Sequence, residues 1–221
     1  MPVFSRSKLI HVHIPKTAGT FIERSLRERE EVEFWSSSQR SPQYANNRWY
    51  EFQHLTLSEL SKFAKNKLVG YQSFAVLRNP YERLVSEFQW RWNLLESGLN
   101  IDGVFFKSFD DLIDAIPLDI NLNWDYHISQ ANRRFSNFLI HIRPQKDYVC
   151  NVDGSIGVDQ LVRHETINPD LNKFLLPLDI EIPNIRNPRE AKHPAYFHKR
   201  IVNLVNEIYE ADFTLGGYTM L

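Results

Sequence analysis

The chain has 221 residues, 43% of them hydrophobic, and a formal net charge of −1, which is enough to bury one substantial α/β core in a single domain covering residues 1–221. A charge this close to zero excludes the global positive field that recruits nucleic acid, so any anion selectivity is local. No run of about 18 apolar residues and no signal-peptide pattern occurs, which predicts no membrane span, and the lone Cys150 excludes an intrachain disulfide.

Leu9, Ile10, Val12 and Ile14 read as a buried strand that Pro15 stops. After it, Lys16, Thr17, Ala18, Gly19 and Thr20 supply an ammonium, two hydroxyls and a Cβ-free backbone position ahead of the helical pattern of Ile22 and Leu26. A loop of this kind at a helix start is a phosphate cradle, because backbone N–H groups and the positive end of the helix dipole attract an anion. It is not a Walker A loop: the lysine precedes the only glycine of the stretch, and no hydrophobic strand ends in a metal-binding aspartate. Magnesium has no evident seat, so no metal is expected, and a sulfuryl group, less charged than a terminal phosphate, suits such a site. His11 and His13 share one strand face. Zinc needs three or four convergent ligands and no third partner has suitable spacing, so the two histidines are expected to line or buttress the loop.

Residues 36–50 are polar and turn-rich and read as a mobile loop, either a closing element or a plain surface connection. Thr56 and Glu59 make a capping box for a helix carrying Leu57, Leu60, Phe63 and Ala64, so His54 sits just before a helix start. Phe74 to Leu77 form a second continuous apolar run with Arg78 at its carboxyl end. Asn79 is a good N-cap, Pro80 suits the first helical position and Glu82 completes a capping-box spacing. Ser86, seven positions past Asn79, projects from nearly the same helix side about 10 Å further along the axis. Arg78 and Ser86 can therefore grip a second phosphate from two directions.

Further along, Ser108 with Asp111 marks a helix start before Leu112, Ile113 and Ile116, and residues 138–142 (FLIHI) read as a strand. Residues 123–135 mix Trp124, Tyr126, Arg133 and Arg134 in a manner suited to a sugar; Tyr126 is expected in the core and Trp124 is left open. Trp90 and Trp92 are expected to pack or shield. Arg163 ends a further strand and either contacts a ligand or pairs with a carboxylate. Residues 177–197 read as an extended loop before a last helix whose pattern includes Ile201, Leu204, Val205 and Ile208. Strand-then-helix alternation predicts a central parallel sheet with helices on both faces and ligands at the strand carboxyl ends.

The pair of segments KTAGT and RNPYERLVSEF resembles the PAPS-dependent carbohydrate sulfotransferases, in particular the heparan-sulfate 2-O-sulfotransferase type and its bacterial relatives. Weaker similarity continues through HIRPQKDYV (141–149), VRHE (162–165) and YEADFTLGGY (209–218). The resemblance implies a P-loop-like fold in which Lys16, Thr17, Ala18, Gly19 and Thr20 hold the 5′-phosphosulfate of PAPS, while Arg78 and Ser86 hold the 3′-phosphate. It also places His54 where the family has its acceptor-activating histidine, and imidazole is suited to that task because its unperturbed pKa lies near 6.5. Lys16 would share the catalytic role by stabilising the leaving nucleotide, released as PAP. Relatives often close the loop corresponding to 177–197 over the nucleotide, which makes Arg189 and Lys192 candidate donor contacts.

The implied partner is an acceptor with a free hydroxyl: a glycan, a glycolipid or a small metabolite. Golgi members of the family are membrane-tethered, so the expected setting is either the cytoplasm, which the lone cysteine favours, or a trimmed lumenal domain. Two other classes stay open at this stage. A small-molecule kinase would need a Walker lysine and a magnesium carboxylate, and a noncatalytic anion- or glycan-binding protein would have no need of His54.

Overall fold

Apolar-rich stretches form the middle of the central sheet. The computed structural model describes residues 1–30, 32, 44–45, 48–49, 52–64, 68–96, 104–185 and 196–221. Its strands are β1 (Val3–Phe4), β2 (Leu9–Val12), β3 (Tyr44–Ala45), β4 (Arg48–Trp49), β5 (Gln72–Leu77) and β6 (Gln160–Arg163). Its helices are α1 (Gly19–Arg27), α2 (Leu57–Ala64), α3 (Pro80–Glu96), α4 (Phe109–Asp114), α5 (Trp124–Gln130), α6 (Arg133–Ile142), α7 (Lys146–Val149), α8 (Ile167–Leu175) and α9 (Lys199–Gly216). Strands β3 and β4 pair as a small antiparallel hairpin. The rest of the expected loop at 36–50 lies outside the described residues, as do Arg189 and Lys192.

The main sheet has the order β1-β2-β5-β6. Strands β2, β5 and β6 are parallel, with Val12 opposite Ala75 and Leu77 opposite Arg163, and only β1 runs antiparallel. The chain is thus α/β with a mostly parallel sheet, and its three parallel strands deliver residues 13, 78 and 164 to one sheet end. Residues 73–77 are buried without a break, as a strand covered on both faces must be.

Two compact units form, one from Met1–Gln43, Tyr50–Arg78 and Gln145–Pro188, the other from Tyr44–Trp49, Asn79–Pro144 and Arg189–Leu221. In the first, Leu9, Phe74, Val76 and Val162 pack against Ile22 and Leu26 of α1 and against Ile167, Leu171 and Leu175 of α8. Ile180, Ile182 and Ile185 complete this core. Two asparagines of α8 hold that last segment by its backbone: Asn168 exchanges hydrogen bonds with the N–H and C=O of Ile185 (2.7 and 2.9 Å), and Asn172 does the same at Ile182 (3.2 and 3.5 Å).

The second unit is mainly helical. Tyr81, Leu84, Val85 and Phe88 of α3 pack with apolar residues of α4, α5, α6 and α9. Inside it, Arg91 Nε donates to Glu87 Oε1 at 2.6 Å, the other carboxylate oxygen lies 3.0 Å from His141 Nδ1, and Arg83 donates to the His141 carbonyl at 2.7 Å. Buried charges of this kind are tolerated because each has a partner.

Two expectations are corrected here. Residues 138–142 are not a strand; they end helix α6, because Phe135, Phe138, Leu139 and Ile142 fall at helical spacing and the Asn132 side chain accepts from the Phe135 N–H. Tyr126 is 56% exposed and Trp124 only 7%, so the tryptophan is the core residue and is no sugar platform. The short-range signals fare better. Thr56–Glu59 and Ser108–Asp111 both close capping boxes, and the Asn79 side chain accepts from the Tyr81 N–H at 3.0 Å. Arg163 lies 3.6 Å from the carboxylate of Glu165.

His11 sits in the sheet core with its ring stacked between Phe74 (4.8 Å) and His13 (5.1 Å). It is fully buried and, among the described residues, neither ring nitrogen has a hydrogen-bond partner. Among the described residues no group of three or more His, Cys, Asp or Glu is placed to hold a metal ion. Burial first, and the proximity of His13 second, hold the His11 pKa well below its ordinary value. The folded state therefore cannot take the proton that the unfolded chain binds below about pH 6.5, and stability falls as pH falls. His11→Phe is expected to remove this acid sensitivity, gaining up to about 1.4 kcal/mol on the wild type per pH unit below that value. Urea denaturation at stepped pH measures it, and parallel stability curves for the two proteins would contradict it.

Candidate active site

The loop after β2 reverses the chain through two left-handed residues that are not glycine, Lys16 (φ 69°) and Ala18 (φ 71°). Such conformations are disfavoured for residues with a Cβ and persist only where surroundings enforce them. One enforcing contact is internal: the buried Thr17 hydroxyl donates to the Ile14 carbonyl at 2.9 Å. Its proton is committed to the loop, which leaves the Thr17 backbone N–H as what this residue can offer an anion. Ala18 is the N-cap of α1, and its methyl side chain makes no cap hydrogen bond. The first-turn N–H groups around Gly19 and Thr20 therefore have no intrahelical acceptor, and the helix carries no acidic residue in its first turn.

Gly19 is required by space. A Cβ built on it would fall 2.1 Å from both Cδ2 and Nε2 of His13, so the imidazole edge occupies the place of the missing side chain. His13 is in turn fixed by polar neighbours. Its Nδ1 lies 3.2 Å from the Gln53 side-chain nitrogen and 3.7 Å from the carboxylate of Glu23, a buried residue of α1.

His54 ends a 3-10 turn, Phe52–His54, that leads into the α2 capping box. Its Nδ1 is 2.8 Å from the backbone oxygen of His13. A carbonyl only accepts, so Nδ1 carries a ring proton, and in the neutral ring the lone pair is on Nε2. The His54 ring meets the His13 ring edge-on at 4.6 Å.

Arg78, at the end of β5, is buried, and one guanidinium nitrogen donates to the backbone oxygen of Lys16 at 3.2 Å. Its own backbone is held on both sides by the fully buried Gln145, which accepts from the Arg78 N–H (2.9 Å) and donates to the Arg78 carbonyl (2.8 Å). His164, just past β6, is pushed down to a pKa of about 3, first by burial and then by the Arg78 charge. At neutral pH it is an uncharged ring.

Lys16, Thr17, Ala18, Gly19, Thr20, His54 and Arg78 thus all belong to the first unit, joined through residues 13–16. Ser86 is partly buried on α3 in the second unit. The roles of Glu23, Gln53, Gln145 and His164 were not foreseen. The one local signal is Glu23, a carboxylate next to Ile22 on the apolar side of a short amphipathic helix.

The start of α1 lies at the carboxyl end of the parallel strands, with Lys16 in the loop before it and Arg78 bonded to the Lys16 carbonyl, an arrangement suited to an anion. The chain belongs to the sulfotransferase family, whose family model matches residues 1–219 and so runs through both units. It is accordingly a sulfotransferase, an enzyme that moves a sulfuryl group to an acceptor hydroxyl. Comparison with curated proteins and with solved structures gives no match. Among the described residues no helix is long and apolar enough to cross a membrane.

Gly19→Ala is expected to cost about 1–3 kcal/mol by forcing a methyl group onto the His13 ring. The double variant Gly19→Ala/His13→Ala should be more stable than the sum of the two single losses predicts. Thermal denaturation of the four proteins of the cycle measures this, and strictly additive losses would contradict the contact.

Proposed function

We propose that the enzyme transfers the sulfuryl group of PAPS to a carbohydrate hydroxyl by in-line displacement, with His54 as general base and PAP as the released nucleotide. The observation that carries this reading is the His54–His13 hydrogen bond. In the neutral ring it puts the lone pair on Nε2, and it ties the ring to the backbone from which the anion loop begins. The loop suits the 5′ end of the donor: its N–H groups sit at a helix start, Gly19 lacks a side chain, and Lys16 supplies positive charge. Arg78 suits the 3′-phosphate, a dianion that a guanidinium pairs with well. Lys16 and Arg78 provide the charge that a divalent ion would otherwise bring, so the reading includes no metal.

The donor supplies a sulfuryl group already attached to a good leaving group. In the transfer, His54 Nε2 accepts the acceptor's hydroxyl proton as the oxygen–sulfur bond forms and the bond from sulfur to the nucleotide's phosphate oxygen breaks. Lys16 and the N–H groups of the loop stabilise the negative charge that collects on that leaving oxygen.

His54→Ala is expected to lower turnover about 10²–10⁴-fold, and Lys16→Ala about 10²–10³-fold, with both proteins folded. The measurement is transfer of radiolabelled sulfate from PAPS over a panel of glycans, glycolipids and hydroxylated metabolites. Full activity in either folded variant would reject the role assigned to it, and transfer to metabolites alone would reject a carbohydrate acceptor. Arg78→Ala should weaken PAP binding about 10–100-fold, the worth of a charge-assisted hydrogen bond. Unchanged affinity by calorimetry would reject that role.

A further inference from the structure

The 3-10 turn Phe52–His54 grips residue 13 at two points. His54 takes the His13 carbonyl through Nδ1 (2.8 Å), and the adjacent Gln53 reaches the His13 ring through its side-chain nitrogen (3.2 Å from Nδ1). The same Gln53 nitrogen donates to Glu23 Oε2 at 3.1 Å. A primary amide has two N–H hydrogens, so one nitrogen serves both partners, and His13 Nδ1 is then an acceptor whose proton resides on Nε2. That Nε2 edge is the one lying against Gly19. Glu23 is one helical turn past Gly19 on α1, and both it and His13 are almost completely buried. An amide bonded to a buried carboxylate thus ties the turn that carries His54 to the helix whose start forms the anion seat.

We propose that Gln53 and Glu23 are positioning residues for sulfuryl transfer: the Glu23–Gln53–His13 bracket fixes the His54 ring relative to the loop that receives the donor. The proposal rests on the reading of His54 as general base. Its physical content is that a base must be held within a fraction of an ångström to work, since a misplacement of about 1 Å costs about 10²-fold. His54 reaches the bracket through one short turn and one carbonyl, so freeing Gln53 lets the turn rock and the Nδ1–H bond to His13 loosen. Neither Gln53 nor Glu23 needs to touch the donor. Cutting the bracket should therefore damage the chemical step and spare nucleotide binding.

The test uses the full chain with Gln53→Met, a half-buried site where the change keeps side-chain length, with Glu23→Leu, which keeps volume, and with the double variant. Turnover is expected to fall about 10–100-fold in each single variant, with PAP affinity by calorimetry within about threefold. Because both changes cut one link, the double variant should lose no more than the worse single one. In nitrogen-15 spectra of the imidazoles, the wild type should show a slowly exchanging His54 Nδ1–H proton, and Gln53→Met should broaden or lose it. Turnover within twofold of wild type, PAP affinity falling in step with turnover, or additive losses in the double variant would each overturn the proposal. A wild type that transfers nothing from PAPS would sink the functional reading instead. The imidazole spectra need no substrate, and an unaltered His54 signal in Gln53→Met would then still refute the bracket.

Discussion

Two backbone carbonyls, those of His13 and Lys16, are the attachment points on which the site depends. One accepts from the candidate base and the other from the buried arginine. Because both belong to the same short loop, the position of His54 and of the Arg78 guanidinium is set by main-chain atoms that no side-chain substitution removes. The left-handed conformations of Lys16 and Ala18 are the conformational cost of presenting the loop this way. The Thr17 hydroxyl, the Arg78 guanidinium and the His13 ring together hold it there. Charge follows the same plan. His164 stays neutral beside Arg78, so its ring adds no positive charge next to the guanidinium at neutral pH.

Much of the fold was legible in the sequence, and for identifiable reasons. The strands β2 and β5 are apolar-rich stretches ended by a proline in one case and by an arginine–asparagine–proline sequence in the other. Helix starts at Thr56, Asn79 and Ser108 depend on residues two or three apart, and such signals survive any tertiary context. Helix α6 is different: residues 138–142 alone are apolar enough to resemble a strand, and only the ten-residue period to which they belong marks the helix. The exchange of roles between Trp124 and Tyr126 has another cause: which aromatic of a short helix turns inward is decided by distant partners.

The candidate site is legible in the sequence only in its first layer. Lys16, Gly19, His54 and Arg78 occur in local patterns whose chemistry is readable from a few neighbouring residues. Their supports are not, because each support is far away in the chain: Gln145 clasps a backbone 67 residues before it, and Gln53 joins a carboxylate 30 residues before it. A glutamine in either context looks like any other polar residue until the sheet brings the pieces together. Gly19 illustrates the same limit. A glycine in an anion loop suggests freedom of φ, whereas this one makes room for an imidazole from the preceding strand.

The outer strands of the main sheet carry a consequence for behaviour in concentrated solution. One margin is β1, only two residues long, and the other is β6, which begins with Gln160 and ends with the exposed Arg163. Neither margin offers a long, flat, greasy template on which a second molecule could add its own strand. Brief strand length on one side and polar ends on the other leave the parallel core little edge for fibrillar association.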